Sequence, residues 1–366
     1  MAKPYTMTPE PVRWWVLATV IALLVLLVPI PAWIVDDFYS RDTYPWFQGI
    51  VTGATNVLPV AVLDLLLIGL LLAGLYRTRR LYSVMRQRGV MDALWEAFRR
   101  VVRFAAVAAI LFTWAWGFNY RRIPLESVTP GGVAPSLSVE QLQSALSDAN
   151  ALASRLRPIT QRDEGNYHSI RLLLAEPMNE ALLSLKRVPL QTPGQPKFSL
   201  VLSPFFRWAG VTGMMNPFGL ESIVSLDLLP FERPFVLAHE WAHLAGHADE
   251  AEASAVGWLA CMKASPVAAY SASLYLIAEA AAALPVEERE KAMARLDTGV
   301  KTDLDAIAER MRSEQHPRVQ ETTSRVYGQY LKANRVEDGV ASYRRALTLV
   351  LSSPFREALS TYTVSR

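Results

Sequence analysis

His239 and His243 stand four residues apart with Glu240 between them, in the stretch PFVLAHEWAHLAGHADEAEASAVGWLAC. On a helix both imidazoles leave from one face and can share a metal ion, with Glu240 beside them as general base. That set suits peptide hydrolysis. Zinc lowers the pKa of a bound water towards about 7, and a nearby carboxylate can take its proton and pass it to the leaving amine. Two imidazoles and a carboxylate favour one Zn2+ ion over other divalent metals. The short pattern gains weight from the apolar lead-in PFVLA, from a strand candidate before it and from the acidic residues after it.

The third ligand is sought first among those acidic residues. Asp249, Glu250 and Glu252 all follow a turn that Gly246 permits. If a second helix starts near Asp249, Glu250 shares a face with Ser254, Gly257 and Cys261, three small residues that allow close packing on the motif helix. Glu252 points about 200° away from Glu250. Glu250 is therefore the expected ligand, with Glu252 in reserve, and Ser254 is a candidate hydrogen-bond partner for a ligating histidine. His247 would ligate only if the helix ran on through Gly246; otherwise it caps the helix or faces solvent. Asp249 completes HExxHxxGxxD, which resembles the metzincin pattern with Asp for the final His, and stays an alternative ligand. Tyr270, Tyr275 and His316 have the chemistry of an oxyanion stabiliser. Trp208, Met214, Met215, Phe218 and Phe231 read as core or membrane-facing surface.

The elements that must hold this site begin with three apolar runs. Trp14 to Val35 carries no charge and is long enough to cross a hydrocarbon core of about 30 Å. It lacks a clear small-residue cleavage site and is followed by further runs, so it reads as a retained span. Val57 to Tyr76 and Val101 to Asn119 give the second and third spans, with Trp114 and Trp116 suited to an interfacial belt. Arg77, Arg79, Arg80, Arg86, Arg88, Arg99 and Arg100 lie between spans two and three, an arginine-rich loop expected in the cytoplasm. The N-terminus is then inside and everything beyond Tyr120 is extracytoplasmic. Asp64, inside the second span, reads as a polar packing contact more readily than as a group in chemistry or transport.

The remainder, 121–366, reads as a mainly helical α+β domain behind a 1–120 anchor. Past TPGG, Ser138 and Gln141 form a capping box, followed by Leu142, Leu146, Ala149, Leu152 and Leu156 at helical spacing. KFSLVLSP (Lys197 to Pro204) and LESIVSLDLLP (Leu220 to Pro230) read as strands. The part near Ile223 to Leu226 is either a substrate-pairing strand or an ordinary edge. From Glu250 onward the pattern is helical, with no fourth span. The net charge of +3, from 37 Lys+Arg against 34 Asp+Glu, gives no sign of a nucleic-acid surface. Cys261 is the only cysteine, which excludes an intrachain disulfide or a thiolate-rich zinc site.

WGFNYRRIPL, GMMNPFGLESIVSLDLLPFERPFVLAHEWAH, EAEASAVGWLAC, YSASLY and YLKANRVEDGVASYRRAL together resemble an uncharacterised family of bacterial membrane proteins with three N-terminal spans and a zincin-like domain. Glu250 followed by Ala253 and Ser254 is similar to the Glu-x-x-Ala-Asp or Glu-x-x-Ala-Asn arrangement of gluzincins, whose Glu is the third zinc ligand; here Ser254 replaces Asp or Asn. The resemblance implies a zinc metallopeptidase of the bacterial inner membrane acting on a peptide or protein. A catalytically weak zinc-bearing scaffold or sensor is the alternative, which retention of Glu240 disfavours.

Overall fold

Long stretches of Ala, Leu, Glu and Arg favour helix, and helix dominates the computed structural model, which describes residues 13–129, 136–160, 166–333, 343–352, 355–360 and 362. The expected class, mainly α with one small sheet, is the one observed. Residues 130–132 of TPGG and 334–342 of the last resemblance stretch lie outside the described residues.

The first apolar run is not one helix. α1 (Arg13–Leu27) stops where Pro29 and Pro31 withhold backbone donors and crowd the preceding turn. Beyond that break come α2 (Ala32–Ile34), a π-helical stretch (Val35–Thr43) and α3 (Tyr44–Asn56). The expected span 14–35 therefore ends at Leu27. Among the described residues no single helix is long and apolar enough to cross a membrane; Val16–Leu27 and Ala32–Asn56 together meet that length and composition but are bent by 105°.

α4 (Val62–Arg88) and α5 (Val90–Ala115) are separated by Gly89 alone, whose φ of +94° suits glycine. The expected arginine-rich loop is thus a helix hairpin, because arginine is a good helix former and only Gly89 interrupts. Arg77 to Arg88 close α4, and Arg99 and Arg100 sit on α5, both paired with Glu96.

The other ends of these helices all reach the rest of the molecule. Glu221 accepts from the N–H groups of Val62 (3.0 Å) and Leu63 (2.9 Å), a carboxylate on the start of α4 where the helix dipole favours it. Asp64 accepts from Ser199 Oγ and from Leu200 N–H (2.7 Å), so it is the polar packing contact that its position suggested. At the end of α5, a 3-10 turn (Gly117–Arg121) lets Arg121 donate to the carbonyls of Val25 and Leu26 at the end of α1. Trp116 is buried against the motif helix, not placed in an interfacial belt.

α6 (Leu125–Val128) precedes α7 (Val139–Thr160), which opens on the reciprocal Ser138 and Gln141 bonds expected of a capping box. α8 (Tyr167–Ser184) is capped by Asn166. The sheet is small, in the order β1 (Pro196–Lys197), β3 (Glu221–Val224), β2 (Gly213–Asn216), with β1 parallel and β2 antiparallel to β3. KFSLVLSP contributes only its first residue to a strand. Beyond it the chain turns into α9 (Ser203–Ala209), with Leu200 and Val201 exposed instead of packed in a sheet. β3 is paired on both sides, so the expectation that it meets substrate or forms an edge is corrected; the free edge beside the motif helix belongs to β2.

α10 (Arg233–Leu244) carries the motif and α11 (Glu250–Ala264) follows it. α11 is buried along almost its whole length, surrounded by α8, α10, α12 (Pro266–Ala283) and α16 (Tyr343–Val350). α13 (Val286–Ala294), α14 (Thr298–Glu314), α15 (Pro317–Ala333) and α17 (Phe355–Ser360) complete the helical part. A buried ionic cluster ties the π-helical stretch to this core: Asp36 accepts from Arg187 (3.0 Å) and Arg41 (3.0 Å), with Arg122 at 3.9 Å.

Candidate metal centre

α10 starts with Pro234 in its first turn, where no donor is missed, and buries Val236, Leu237, Ala238, Trp241, Ala242 and Leu244. Its end is set by Gly246 at φ +87°: Gly246 N–H bonds the His243 carbonyl (2.9 Å) and His247 N–H bonds the Ala242 carbonyl (3.0 Å). This closure reverses the chain, so that Asp249 caps α11 by accepting from Ala251 (2.9 Å) and Glu252 (3.2 Å). Glu250 is then the first residue of α11, facing α10. Gly257 keeps the two helices close, since a Cβ there would stand 2.8 Å from the backbone nitrogen of His239.

Three donor atoms converge as a result. His239 Nε2 and His243 Nε2 are 3.1 Å apart, and Glu250 Oε2 lies 3.2 Å from the first and 3.5 Å from the second. Donors at the zinc bond lengths of ~2.0–2.1 Å and at tetrahedral angles stand roughly 3.3 Å from one another. The triangle therefore fits a dication, and His239, His243 and Glu250 are the one such group found among the described residues. Burial holds the His239 imidazole below its ordinary pKa. Burial also works against protonation of His243, but the Glu250 carboxylate outweighs it and lifts that imidazole to about 9. Burial likewise opposes ionisation of Glu250, yet the two histidines hold it well below the usual carboxylate range.

Each imidazole is oriented from behind. His243 Nδ1 meets the carbonyl of His247 at 2.7 Å, which fixes the proton on Nδ1 and leaves Nε2 free to ligate. His239 Nδ1 meets Ser254 Oγ at 3.2 Å, the partner expected one turn after Glu250. His247 itself is fully buried, neither ligand nor solvent-facing, with Nδ1 at 2.9 Å from Glu252 Oε2. Glu252 spends its other oxygen on the N–H of Leu125 (2.6 Å). Glu252 and Asp249 thus have structural tasks away from the triad.

Glu240 points to the side of α10 that faces β2. In the β2–β3 ladder Ser225 N–H bonds the Thr212 carbonyl, so the backbone groups of Gly213 and Met215 face the free edge. The Glu240 carboxylate accepts from Met215 N–H there, and a Cβ on Gly213 would come within 2.5 Å of Glu240 Oε1. Its Oε2 is buried without a hydrogen-bond partner. Burial pushes the carboxyl up to about 8, with His243 pulling down and Glu250 pushing up. Gly213 was not singled out in the sequence, and Met215, which read there as core or membrane-facing surface, lies beside Glu240; Gly before MMN is weak strand signal.

Of the oxyanion candidates, Tyr270 donates to Asp303 (2.5 Å), and His316 is exposed with its N–H on the Trp208 carbonyl (2.9 Å). Tyr275 is half-buried close to Ser254 and Glu250, stacked on Phe235 at 4.0 Å between ring centroids. Phe235 in turn lies 6.3 Å from the His239 ring.

Residues 39–351 match a family described as "Protein of unknown function (DUF3810)". Neither a curated protein nor a solved structure matches the chain.

Proposed function

We propose that this chain, which belongs to that family of unknown function, is a membrane-anchored zinc metallopeptidase with Glu240 as general base. The observation that carries the reading is the closed triangle of His239 Nε2, His243 Nε2 and Glu250 Oε2 with edges of 3.1, 3.2 and 3.5 Å. Bound there, zinc supplies a Lewis acid and brings the pKa of a water towards about 7. Glu240, with one oxygen lacking a partner, takes the proton from the attacking water and returns it to the leaving amine. An extended peptide laid along the edge of β2 would pass beside Glu240, with main-chain bonding to the outward groups of Gly213 and to the Met215 carbonyl, the Met215 N–H being held by Glu240. Tyr275 has the surroundings that suit an oxyanion donor.

The anchor is supported by exposed apolar surface. Val20 and Leu24 on α1, Leu71 and Leu72 on α4, and Phe104 and Leu111 on α5 are all exposed, far more apolar area than a water-facing surface carries without a partner. α4 and α5, at 27 and 26 residues, are about 40 Å long, more than a bilayer core. Charges near their Gly89 ends keep either from being apolar throughout, and long arginine side chains can reach the headgroups. The arginines gather at that end, which supports a cytoplasmic hairpin and an extracytoplasmic site.

The test is the metal content of the detergent-purified full chain, beside His243→Ala and Glu250→Ala. One zinc per chain, lost in both variants, is the expected result; a wild type that stays empty after zinc is supplied overturns the proposal. Glu240→Gln should keep its zinc and lose peptide cleavage by about two to four orders of magnitude. A scaffold would instead keep its biological output in that variant.

A further inference from the structure

The stretch FSLVLSPFFRWA, Phe198 to Ala209, has one charge, Arg207, and that is tied to Asp227 by two bonds of 2.6 and 2.9 Å. Its inner residues are accounted for: Phe206 packs with Ala61 and Ile223, and Leu63 and Leu202 lie against them. Its outer residues are not. Leu200 is 76 % exposed and Trp208 51 %, with Val201 and Phe205 also exposed. Large apolar groups held open to water by a rigid support need a partner.

The support lies at the outer end of α4. Asp64 accepts from Ser199 Oγ and Leu200 N–H, and Glu221 accepts from Val62 and Leu63 N–H. The exposed face of 198–208 is thereby fixed beside the first turn of the helix whose next residues, Leu65 and Leu66, begin the apolar belt.

We propose that this segment is a lipid-seated foot of the metal domain, with Leu200, Val201, Phe205 and Trp208 resting in the outer bilayer interface. The inference rests on the membrane-anchor reading. The partner is the lipid surface itself, because the foot continues the belt of α4 and has no unpaired charge to recognise a headgroup or an acidic protein; its seating does not depend on anionic lipid. The foot leads through Val211 directly into β2, so seating it brings the free edge beside Glu240 to headgroup level. The substrate class is then the juxtamembrane stretch of a membrane-bound polypeptide, in preference to freely diffusing peptides.

The experiment uses the full chain in zwitterionic lipid nanodiscs with a nitroxide at Leu200→Cys or Trp208→Cys. Native Cys261 is buried and stays unlabelled. Leu71→Cys on α4 is the lipid reference and Glu287→Cys on α13 the water reference, both exposed positions. Labels at 200 and 208 should show an oxygen-to-nickel-chelate accessibility ratio several-fold above that at 287 and approaching that at 71, because lipid dissolves oxygen and excludes the chelate. Water-like labels at both positions with a lipid-like label at 71 overturn the foot alone. A water-like label at 71 overturns the anchor and the foot with it.

Discussion

At the residue scale the site is a matter of which atom each side chain leaves free. His243 could present either nitrogen; the His247 carbonyl at 2.7 Å takes Nδ1 and directs Nε2 inward. Ser254 does the same for His239 with a weaker contact of 3.2 Å, a hydroxyl where the gluzincin pattern has a carboxylate or amide. Ser254→Ala should therefore weaken zinc binding by about 10- to 100-fold without unfolding the chain, measured by competition with a chelator. Gly257→Ala tests the same pair of helices from the other side. A Cβ 2.8 Å from the His239 backbone nitrogen cannot be absorbed by a rotamer change, so α10 and α11 must part. The expected cost is about 1–3 kcal/mol, with a loss of zinc affinity that a purely peripheral overpacking would not produce. The convergence of His239, His243 and Glu250 was legible in the sequence because the four-residue spacing and the face shared by Glu250, Ser254 and Gly257 are helical facts. The backbone partners were not: the His247 carbonyl and Met215 N–H belong to residues whose side chains give no hint of the role.

At the element scale the terminations matter most. α10 ends because Gly246 can adopt φ +87°, and that ending withdraws His247 from the ligand row and sets the start of α11. Asp249 then works as a helix cap, and the prediction that separates cap from ligand is direct. Asp249→Asn, which keeps a capping oxygen, should retain full zinc and lose little stability, whereas Asp249→Ala should lose about 1 kcal/mol in thermal or denaturant unfolding and still bind zinc. Zinc lost in Asp249→Asn would return the residue to the ligand set. The same scale holds the main misreadings from sequence. Pro29 and Pro31 lie inside a run that looked continuous by hydropathy, and they end α1 at Leu27. The apolar residues of KFSLVLSP imitate a strand, but Asp64 fixes Ser199 and Leu200 in a turn. β2 went unread because Gly and Asn are poor strand formers and Met is neither β-branched nor aromatic; its place is assigned by pairing with β3 and by Glu240.

At the scale of the whole molecule, the contacts that join the helices carrying the apolar surface to the domain holding the triad gather, among the described residues, at the end away from Gly89. Val62 and Leu63 meet Glu221, Arg121 meets the end of α1, and the Trp116 indole donates to the His243 carbonyl at 3.3 Å. Tyr44, from a segment that sequence assigned to the anchor, donates to the Leu244 carbonyl (2.9 Å) at the end of the motif helix. These contacts join residues 96 to 200 positions apart, which is why the ingredients of the arrangement were legible in the sequence but their closeness was not. With α4 and α5 turning at Gly89, the opposite pole holds Arg86 and Arg88 and stands a helix length from the triad. If the helices span a bilayer, the two poles face different compartments, and the excess of arginine chooses the cytoplasm for the Gly89 end. A cysteine introduced at Gln87 should then resist a membrane-impermeant thiol reagent in intact cells and react once the cells are opened, while one at Glu287 should react in both. Both positions are exposed, and the native Cys261 is buried, so labelling reports the side of the membrane alone. Reaction at Gln87 and protection at Glu287 in intact cells would invert the orientation and put the metal site in the cytoplasm; reaction at both would mean that no bilayer separates the two ends of α4.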